Sequence, residues 1–470
     1  MPQPSNRTGT IVDTPRRRAA PASVAKRLHL PAKLRNLELA LLIFACAINA
    51  GAVVLVQLGA LGHVDLTLVY LGVGLSALVF GMHIAMRFVA PDADPFILPI
   101  STVLNGLGIA EIYRIDIHFN STGWSSAGVR QIAWSGIAIV CAIVVILALR
   151  NHRVLQRYTF VAGFVGLGLL LLPMLPVIGL QINGARVWIG IGPFTFQPGE
   201  IAKIALTIFF AGYLVQRRDA LSMVGKKFLG MQFPRLRDLG PIFIVWAMSM
   251  AVIIFQHDLG TGLLFFGMFL TMLYIATARV SWVILGLLLI VGGSVVASQA
   301  LSYVRGRFEN WLDPFSTQAY GANGGSYQLV QGLFGLAHGG LIGTGLGQGQ
   351  PYVTPVSQSD YIIASLGEEI GLAGLFAIFA LYLLLVARGF RIGFAGQDDF
   401  GKLLAVGLAF TIGLQCFIVI GGVTRVIPLT GLTTPFLAAG GSSLVANWII
   451  VALLLRLSDT VRNQPRMVVS

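Results

Sequence analysis

The chain has 470 residues, of which 56% are hydrophobic and 11% are charged, and its mean hydropathy is +0.81. Soluble globular domains carry roughly a quarter charged residues, so this composition excludes a soluble protein and predicts an all-α, polytopic membrane helix bundle. The net charge of +13 would suit a nucleic-acid-binding protein, but the topology below accounts for it without a nucleic-acid partner.

The first 36 residues are rich in Pro, Arg and Ala and contain no apolar core. This composition predicts a disordered basic cytoplasmic tail over residues 1–36 and not a cleaved signal peptide. We predict a transmembrane domain over residues 37–456 and a cytoplasmic C-terminal tail over residues 457–470.

A membrane-spanning helix needs about 20 mostly apolar residues, and about twelve windows of the chain meet that condition. They lie at approximately 37–59, 66–88, 95–113, 130–149, 158–178, 197–216, 239–256, 259–278, 281–300, 361–387, 402–421 and 436–456. A cytoplasmic N-terminus puts most of the 32 Lys and Arg residues on the inner side, as the positive-inside rule requires. The same arrangement returns the C-terminus to the cytoplasm.

Two oppositely charged residues follow the fifth predicted span. The segment FQPGEIAKI places Pro198 in the first turn of a helix, with Glu200 and Lys203 three residues apart on one face, close enough to pair. Ionisable groups inside a membrane usually face the bundle interior or a water-filled cavity. Two interpretations are open: a structural ion pair that orients the helix, or a site that binds a charged substrate.

A third ionisable residue lies at a tight turn between the seventh and eighth spans, which read VIIFQHDLGTGLLFF. Asp258 falls at the head of a helix, where its carboxylate can cap free backbone N–H groups. Capping alone would explain an acid there. The alternative is that Asp258 lines an outward-facing polar cavity with Glu200 or helps to hold a cation.

Residues 301–360 form the one long interruption of the apolar sequence, between the ninth and tenth spans. Topology places this segment outside, where Arg305 and Arg307 are among the few basic residues and could meet an anionic ligand. Its apolar stretch from Tyr327 to Ala337 suits an interfacial or re-entrant helix. Asp360 closes the segment where the aqueous loop meets a hydrophobic helix, a position in which an acid can remain charged.

The last span is preceded by PLTGLTTPFLAAGGSSL, in which Ser442 and Ser443 follow two glycines. Small residues of this kind allow close packing of helices, and the competing interpretation is that they line a substrate groove.

Six segments stand out in order along the chain: NGARVWIGIGPFTFQPGEIAKI, QHDLGTG, WLDPF followed by GGSYQLVQ, GLFGLAHGGLIGTGLGQGQP, SDYIIASLGEEIGLAG, and PLTGLTTPF with GGSSL. Together they resemble the SEDS family of FtsW and RodA proteins. These segments cover about residues 95–456. The two additional N-terminal spans and the LTGLTTPF sequence look more like RodA than FtsW.

The resemblance implies a bacterial enzyme of the cytoplasmic membrane that polymerises lipid II on the outer face, with inversion and release of undecaprenyl pyrophosphate. It assigns the family's essential acid to Asp360, as the general base, and its other membrane charges to Glu200, Lys203 and Asp258. Arg186 and the outer-segment arginines become candidates for the pyrophosphate, although Val187 stands where many members have a second basic residue.

The resemblance also implies a class B penicillin-binding protein as the transpeptidase partner, besides lipid II and membrane lipid. It implies no definite cofactor, although a Mg²⁺ or Mn²⁺ ion could bind the pyrophosphate leaving group. A lipid II flippase and a division-type FtsW polymerase are the alternative functions. A scaffold for cell-wall enzymes would not explain why the acids converge on one leaflet.

Overall fold

A computed structural model of the protein describes residues 31–182, 184–191, 194–222, 227–228, 231–232, 240–322 and 324–463. Within these ranges the chain is mostly helical. The helices are α1 (Pro31–Leu61), α2 (Leu66–Val89), α3 (Ile97–His118), α4 (Ala127–Ala148), α5 (Arg153–Arg157), α6 (Thr159–Leu171), α7 (Pro198–Ser222), α8 (Gly240–Gln256), α9 (Leu259–Thr277), α10 (Val280–Ala300), α11 (Ser302–Leu312), α12 (Thr317–Gly321), α13 (Tyr327–Gly339), α14 (Ile362–Ala395), α15 (Asp399–Val423) and α16 (Gly441–Arg462).

Nine helices of the described ranges are long and apolar enough to cross a membrane. Each predicted window overlaps a helix, but α6 and α8 are shorter than the rest and α3 carries Glu111, Arg114 and Asp116. The predicted multi-pass helical fold is confirmed, whereas the count of twelve crossings stays a prediction. Helix α1 begins at Pro31, inside the predicted N-terminal tail, and residues 1–30 and 464–470 of the predicted tails lie outside the described residues.

A small antiparallel sheet interrupts the helices before α7, which the all-helical prediction did not include. Its strands are β1 (Gly179–Ile182), β2 (Ala185–Ile191) and β3 (Phe194–Phe196), with β2 between the other two. A separate antiparallel pair consists of β4 (Lys227–Phe228) and β5 (Met231–Gln232). The turn between β1 and β2 contains Gly184 at φ +82°, a left-handed conformation that glycine adopts without strain.

Four of the apolar spans form the centre of the bundle together with α3, in which most residues are buried. The hydrophobic window of α16 is 83% buried, that of α15 is 72% buried, and those of α7 and α9 are 67% buried, whereas α1, α2 and α10 bury less than a third. The buried helices can approach one another closely because small residues lie between them: a Cβ added to Gly407 of α15 would lie 2.7 Å from Cγ2 of Thr207 on α7. The central helices also carry most of the buried polar side chains described below.

Helix α14 is broken one third of the way along, at Gly371, where φ is +68°. The chain after α13 docks onto the break: the N–H groups of Thr344 and Gly345 donate to the carbonyls of Glu368 and Glu369 at 3.0 and 2.9 Å. These bonds satisfy carbonyls that the break removes from the helical ladder. Residues 301–360, called the outer segment after the predicted topology, are therefore held against the first part of α14, directly after Asp360.

Candidate active site

Asp360 lies in the turn that precedes α14, and its side chain is half-buried. Burial raises the pKa of the Asp360 carboxyl to about 6, and the charge of Asp258 adds to this effect. A hydrogen bond from Ser359 and the positive charge of Arg307 act in the opposite direction. At neutral pH the group is thus ionised, yet it accepts a proton more readily than an ordinary aspartate does.

Asp258 caps helix α9, as the sequence predicted. Its Oδ1 accepts a hydrogen bond from the backbone N–H of Thr261 at 2.9 Å, and its Oδ2 accepts one from the Thr261 hydroxyl at 2.5 Å. Burial raises the pKa of the Asp258 carboxyl, the two Thr261 bonds and Arg307 lower it, and Glu200 raises it. Asp258 consequently interacts electrostatically with Arg307 and Glu200, and its charge also acts on Asp360.

Arg307 is the basic residue at the centre of this group. It lies on α11, is half-buried, and donates from Nη1 to the carbonyl of Leu429 at 2.6 Å. Its charge lowers the pKa of both Asp258 and Asp360. The structure therefore brings one of the two predicted outer arginines to the acids.

The other two predicted arginines lie outside this group. Arg305 is exposed and donates to the carbonyls of Ser298 and Gln299 at the end of α10, at 3.2 and 2.7 Å. Arg186 is exposed on β2, where its Nε lies 3.5 Å from Oε1 of Gln181. Arg305 thus stabilises the end of its neighbouring helix, and Arg186 lies on the surface of the small sheet.

Tyr303 and His257 border the acids, and sequence reasoning did not select either as a site residue. The rings have centroids 4.6 Å apart, and the Tyr303 hydroxyl donates to the carbonyl of Ile253. His257 adopts φ +58°, and its Nδ1 lies 3.1 Å from the carbonyl oxygen of Gly184. The β1–β2 turn therefore contacts His257, the residue directly before Asp258.

Glu200 and Lys203 form the predicted ion pair, with 2.6 Å between Oε2 and Nζ, and both side chains are buried. Lys203 Nζ also donates to Oε1 of Gln415 at 3.0 Å and to Oδ1 of Asn447 at 3.3 Å. Lys203 therefore donates hydrogen bonds to two amides and pairs its charge with Glu200.

The hydrogen bonds continue from Lys203 to the predicted serine region. Gln415 donates to the carbonyl of Thr433 at 2.8 Å, and Ser443 Oγ accepts from the Thr433 hydroxyl at 3.1 Å and from Asn447 at 3.2 Å. Ser443 therefore belongs to a buried polar network, and Ser442 is buried beside it. Sequence reasoning missed Gln415, Asn447 and Thr433; polar amides within apolar windows were the signal that could have identified the first two.

Residues 96–463 match the family described as FtsW, RodA and SpoVE, cell cycle protein. Peptidoglycan glycosyltransferase RodA of Mycobacterium tuberculosis (H37Rv) is 44% identical over 95% of this chain and 94% of its own length, and RodA of Mycobacterium leprae is 44% identical over 92% of each chain. The probable peptidoglycan glycosyltransferase FtsW of Geobacter metallireducens is 33% identical over 69% of this chain and 83% of its own.

Two solved structures share the fold. A chain from the study "Structural coordination of polymerization and crosslinking by a peptidoglycan synthase complex" aligns with a TM-score of 0.55 and 24% identity, over 85% of this chain and 99% of that one. An aspartate-to-alanine variant of the Rod shape determining protein RodA of Thermus thermophilus aligns with a TM-score of 0.54 and 22% identity, over 79% and 99%. The predicted family and its RodA-like character are confirmed by the sequence matches, and the chain belongs to the SEDS family of FtsW and RodA proteins.

Proposed function

We propose that this multi-pass membrane protein is a RodA-type peptidoglycan glycosyltransferase that polymerises lipid II on the outer face of the bacterial cytoplasmic membrane during cell elongation. The observation that carries the proposal is the grouping of Asp360, Asp258 and Arg307, whose charges act on one another where the outer segment meets the helix bundle. The names of the 44% identical relatives support the reaction class, and the excess of basic residues in the N-terminal 36 residues supports the outward orientation through the positive-inside rule.

Asp360 is the proposed general base. The 4-hydroxyl oxygen of the acceptor sugar forms a bond to the anomeric carbon of the donor while the bond from that carbon to the pyrophosphate oxygen breaks. The hydroxyl proton passes to Asp360, and the leaving pyrophosphate takes the electron pair, so the configuration inverts. A pKa of about 6 suits this role because the carboxylate is ionised at neutral pH and basic enough to accept the proton.

Arg307 is the proposed contact for the pyrophosphate. The guanidinium group has five N–H donors, and the hydrogen bond to Leu429 engages only one of its nitrogens. A fixed positive charge stabilises the negative charge that develops on a leaving phosphate. Since Arg186 and Arg305 lie elsewhere, the proposal assigns this contact to Arg307.

For Glu200 and Lys203, the contacts support the structural interpretation. Lys203 is paired with the Glu200 charge and donates hydrogen bonds to Gln415 and Asn447, so an anionic substrate would compete with Glu200 for its charge. We propose that the ion pair fixes the relative positions of α7, α15 and α16 beneath the reacting groups.

We propose that a Mg²⁺ or Mn²⁺ ion would be held mainly by the substrate pyrophosphate. The described part of the chain contains no group of three or more His, Cys, Asp and Glu side chains suited to a metal. Mg²⁺ commonly binds one or two carboxylates together with substrate phosphates. Asp258 could supply one carboxylate oxygen, and the ion would neutralise the leaving group. EDTA should then abolish polymerisation and added Mg²⁺ should restore it, whereas an unchanged rate in EDTA would contradict this requirement.

A class B penicillin-binding protein is the proposed partner that crosslinks the glycan product. The structural neighbour named for coordinated polymerization and crosslinking supports this pairing. To test the function, the purified protein and this partner are reconstituted in vesicles with fluorescent lipid II. We expect glycan polymers that lysozyme digests. Movement of lipid II across the bilayer without polymer would instead identify the flippase.

A further inference from the structure

Arg425 lies on the outer side of the bundle, just beyond α15, and is not part of the proposed chemistry. We propose that Arg425 is a positioning residue that fastens α11 to the segment between α15 and α16 and thereby keeps Arg307 beside Asp258 and Asp360. The inference rests on the proposed function for its kinetic consequence, but its geometric part can be measured without any activity.

Three hydrogen bonds join Arg425 to the end of α11. Its Nε donates to the carbonyl of Trp311 at 2.8 Å and its Nη2 to the carbonyl of Leu312 at 2.8 Å, while the Trp311 indole N–H donates to the Arg425 carbonyl at 3.0 Å. The last carbonyls of a helix have no partner within the helix, and a cation is favourable at that end. Arg425 therefore binds α11 at the position where an arginine stabilises it most.

A second contact joins α11 to the same segment, this time with the donor on α11. Arg307, on α11, donates to the carbonyl of Leu429, four residues after Arg425. Arg307 and Trp311 are also four residues apart, so they lie on one face of α11. Together the contacts fix both the distance of α11 from the segment 425–429 and its rotation, which determines where the Arg307 guanidinium lies.

The segment continues from Leu429 into the buried network. Its Thr433 accepts a hydrogen bond from Gln415, which is also a partner of Lys203. The segment is thus held at its inner end by the central helices, and Arg425 holds α11 to its outer end. Loss of the Arg425 side chain would remove two of these three bonds and leave α11 attached to the segment through Arg307, the Trp311 bond to the carbonyl of residue 425 and the surrounding packing.

The backbone at this position supports a role for the side chain. Arg425 adopts φ +61°, a left-handed conformation that is uncommon for residues with a side chain. Glycine would adopt this conformation without strain. The chain has an arginine here instead, and the arginine side chain makes two hydrogen bonds to α11.

The test compares Arg425→Ala and Arg425→Lys with Arg130→Ala, in which another exposed arginine loses bonds to two backbone carbonyls. We expect Arg425→Ala to lower kcat at least about tenfold with little change in KM, Arg425→Lys to be intermediate, and Arg130→Ala to match wild type. The Arg307→Ala, Arg425→Ala double variant should be no slower than Arg307→Ala alone, because Arg425 acts through Arg307. Multiplying losses in the double variant would overturn the proposal.

Spin labels at Glu309 on α11 and at Val426, both exposed, give a measurement that does not depend on activity. We expect a single narrow distance distribution with Arg425 present and a broader one in Arg425→Ala. An unchanged distribution would refute the fastening role even if the wild type polymerises lipid II. An inactive wild type with a broadened variant distribution would instead refute the proposed function alone.

Discussion

Asp360 combines two requirements that usually conflict. A general base must be ionised, which favours contact with water, and it must also be basic, which favours burial. The turn before α14 meets both conditions: half-burial raises the pKa of the carboxyl to about 6, while Arg307 and Ser359 limit the increase. The residue therefore remains a carboxylate at neutral pH without becoming a poor proton acceptor.

The pKa of Asp360 leads to a prediction about the pH dependence of the rate. Below a pH of about 6 the base becomes protonated, so kcat for lipid II polymerisation should fall about tenfold for each further pH unit. The raised pKa means that protonation of Asp360 stabilises the folded state across pH about 4 to 6, so this fall is not unfolding caused by Asp360. Initial rates between pH 5 and 8, with tryptophan fluorescence as the folding control, test this; a constant rate would contradict it.

Sequence reasoning identified the acids of the site more successfully than its arginines. Glu200, Asp258 and Asp360 each precede or begin an apolar helix on one side of the predicted membrane, and topology alone indicates that they converge. The choice between Arg305 and Arg307 depends on the rotation of α11, a short helix of low hydropathy inside a segment predicted only as an outer loop. The apolar period of α11, at Val304, Phe308, Trp311 and Leu312, does not decide between them because the two arginines lie on opposite flanks of that face.

At the scale of elements, the ion pair between Glu200 and Lys203 predicts a response to charge reversal. Removing one charge of a buried pair leaves the other unpaired, which costs about 3–5 kcal/mol. We expect Glu200→Lys and Lys203→Glu each to lower the melting temperature strongly. The double reversal should recover part of the loss, because the amides of Gln415 and Asn447 can each present either an acceptor or a donor to the exchanged charges. Thermal unfolding in detergent measures this.

The double reversal also separates the two interpretations of the pair. A double variant that folds and polymerises lipid II at near the wild-type rate would support the structural role. A double variant that folds but makes no polymer would favour direct substrate binding by Lys203 or Glu200. If the double variant is no more stable than either single variant, the structural pairing of Glu200 and Lys203 is contradicted.

The break in α14 predicts a different kind of sensitivity. Gly371 has φ +68°, and a Cβ there would lie 2.2 Å from the backbone nitrogen of Gly343. Gly371→Ala should therefore destabilise the protein by at least about 1–3 kcal/mol and loosen the segment after α13. Gly306→Ala, on α11, is the control because an added Cβ meets nothing within 4 Å. Equal melting temperatures for both variants would show that the break is not required.

The helices themselves were predictable because a membrane span is determined by the length of its apolar run, a local property. The β1–β2 hairpin and the break in α14 were not predicted. Both depend on partners distant in the chain: the hairpin turn contacts His257, and the break is stabilised by Thr344 and Gly345. Such tertiary contacts leave little trace in local hydropathy.

At the scale of the whole molecule, the burial of the helices explains where the site lies. The central helices α7, α9, α15 and α16 exclude lipid and water from Lys203 and its amide partners. Asp258 and Asp360 instead precede the first turns of α9 and α14, and Arg307 lies on α11 of the outer segment. The bundle thus has a buried polar centre and a more accessible site at the outer segment, which suits a reaction between two membrane-anchored sugars.

The most direct test of the central claim is the polymerisation rate of Asp360→Asn in vesicles that contain lipid II and the partner transpeptidase. The substitution keeps the shape of the side chain but removes the base, so we predict a loss of at least about 100-fold in rate with no loss of thermal stability. Asp313→Asn, which changes an exposed aspartate of the same outer segment, should retain the wild-type rate. Polymerisation by Asp360→Asn at the wild-type rate would contradict the account.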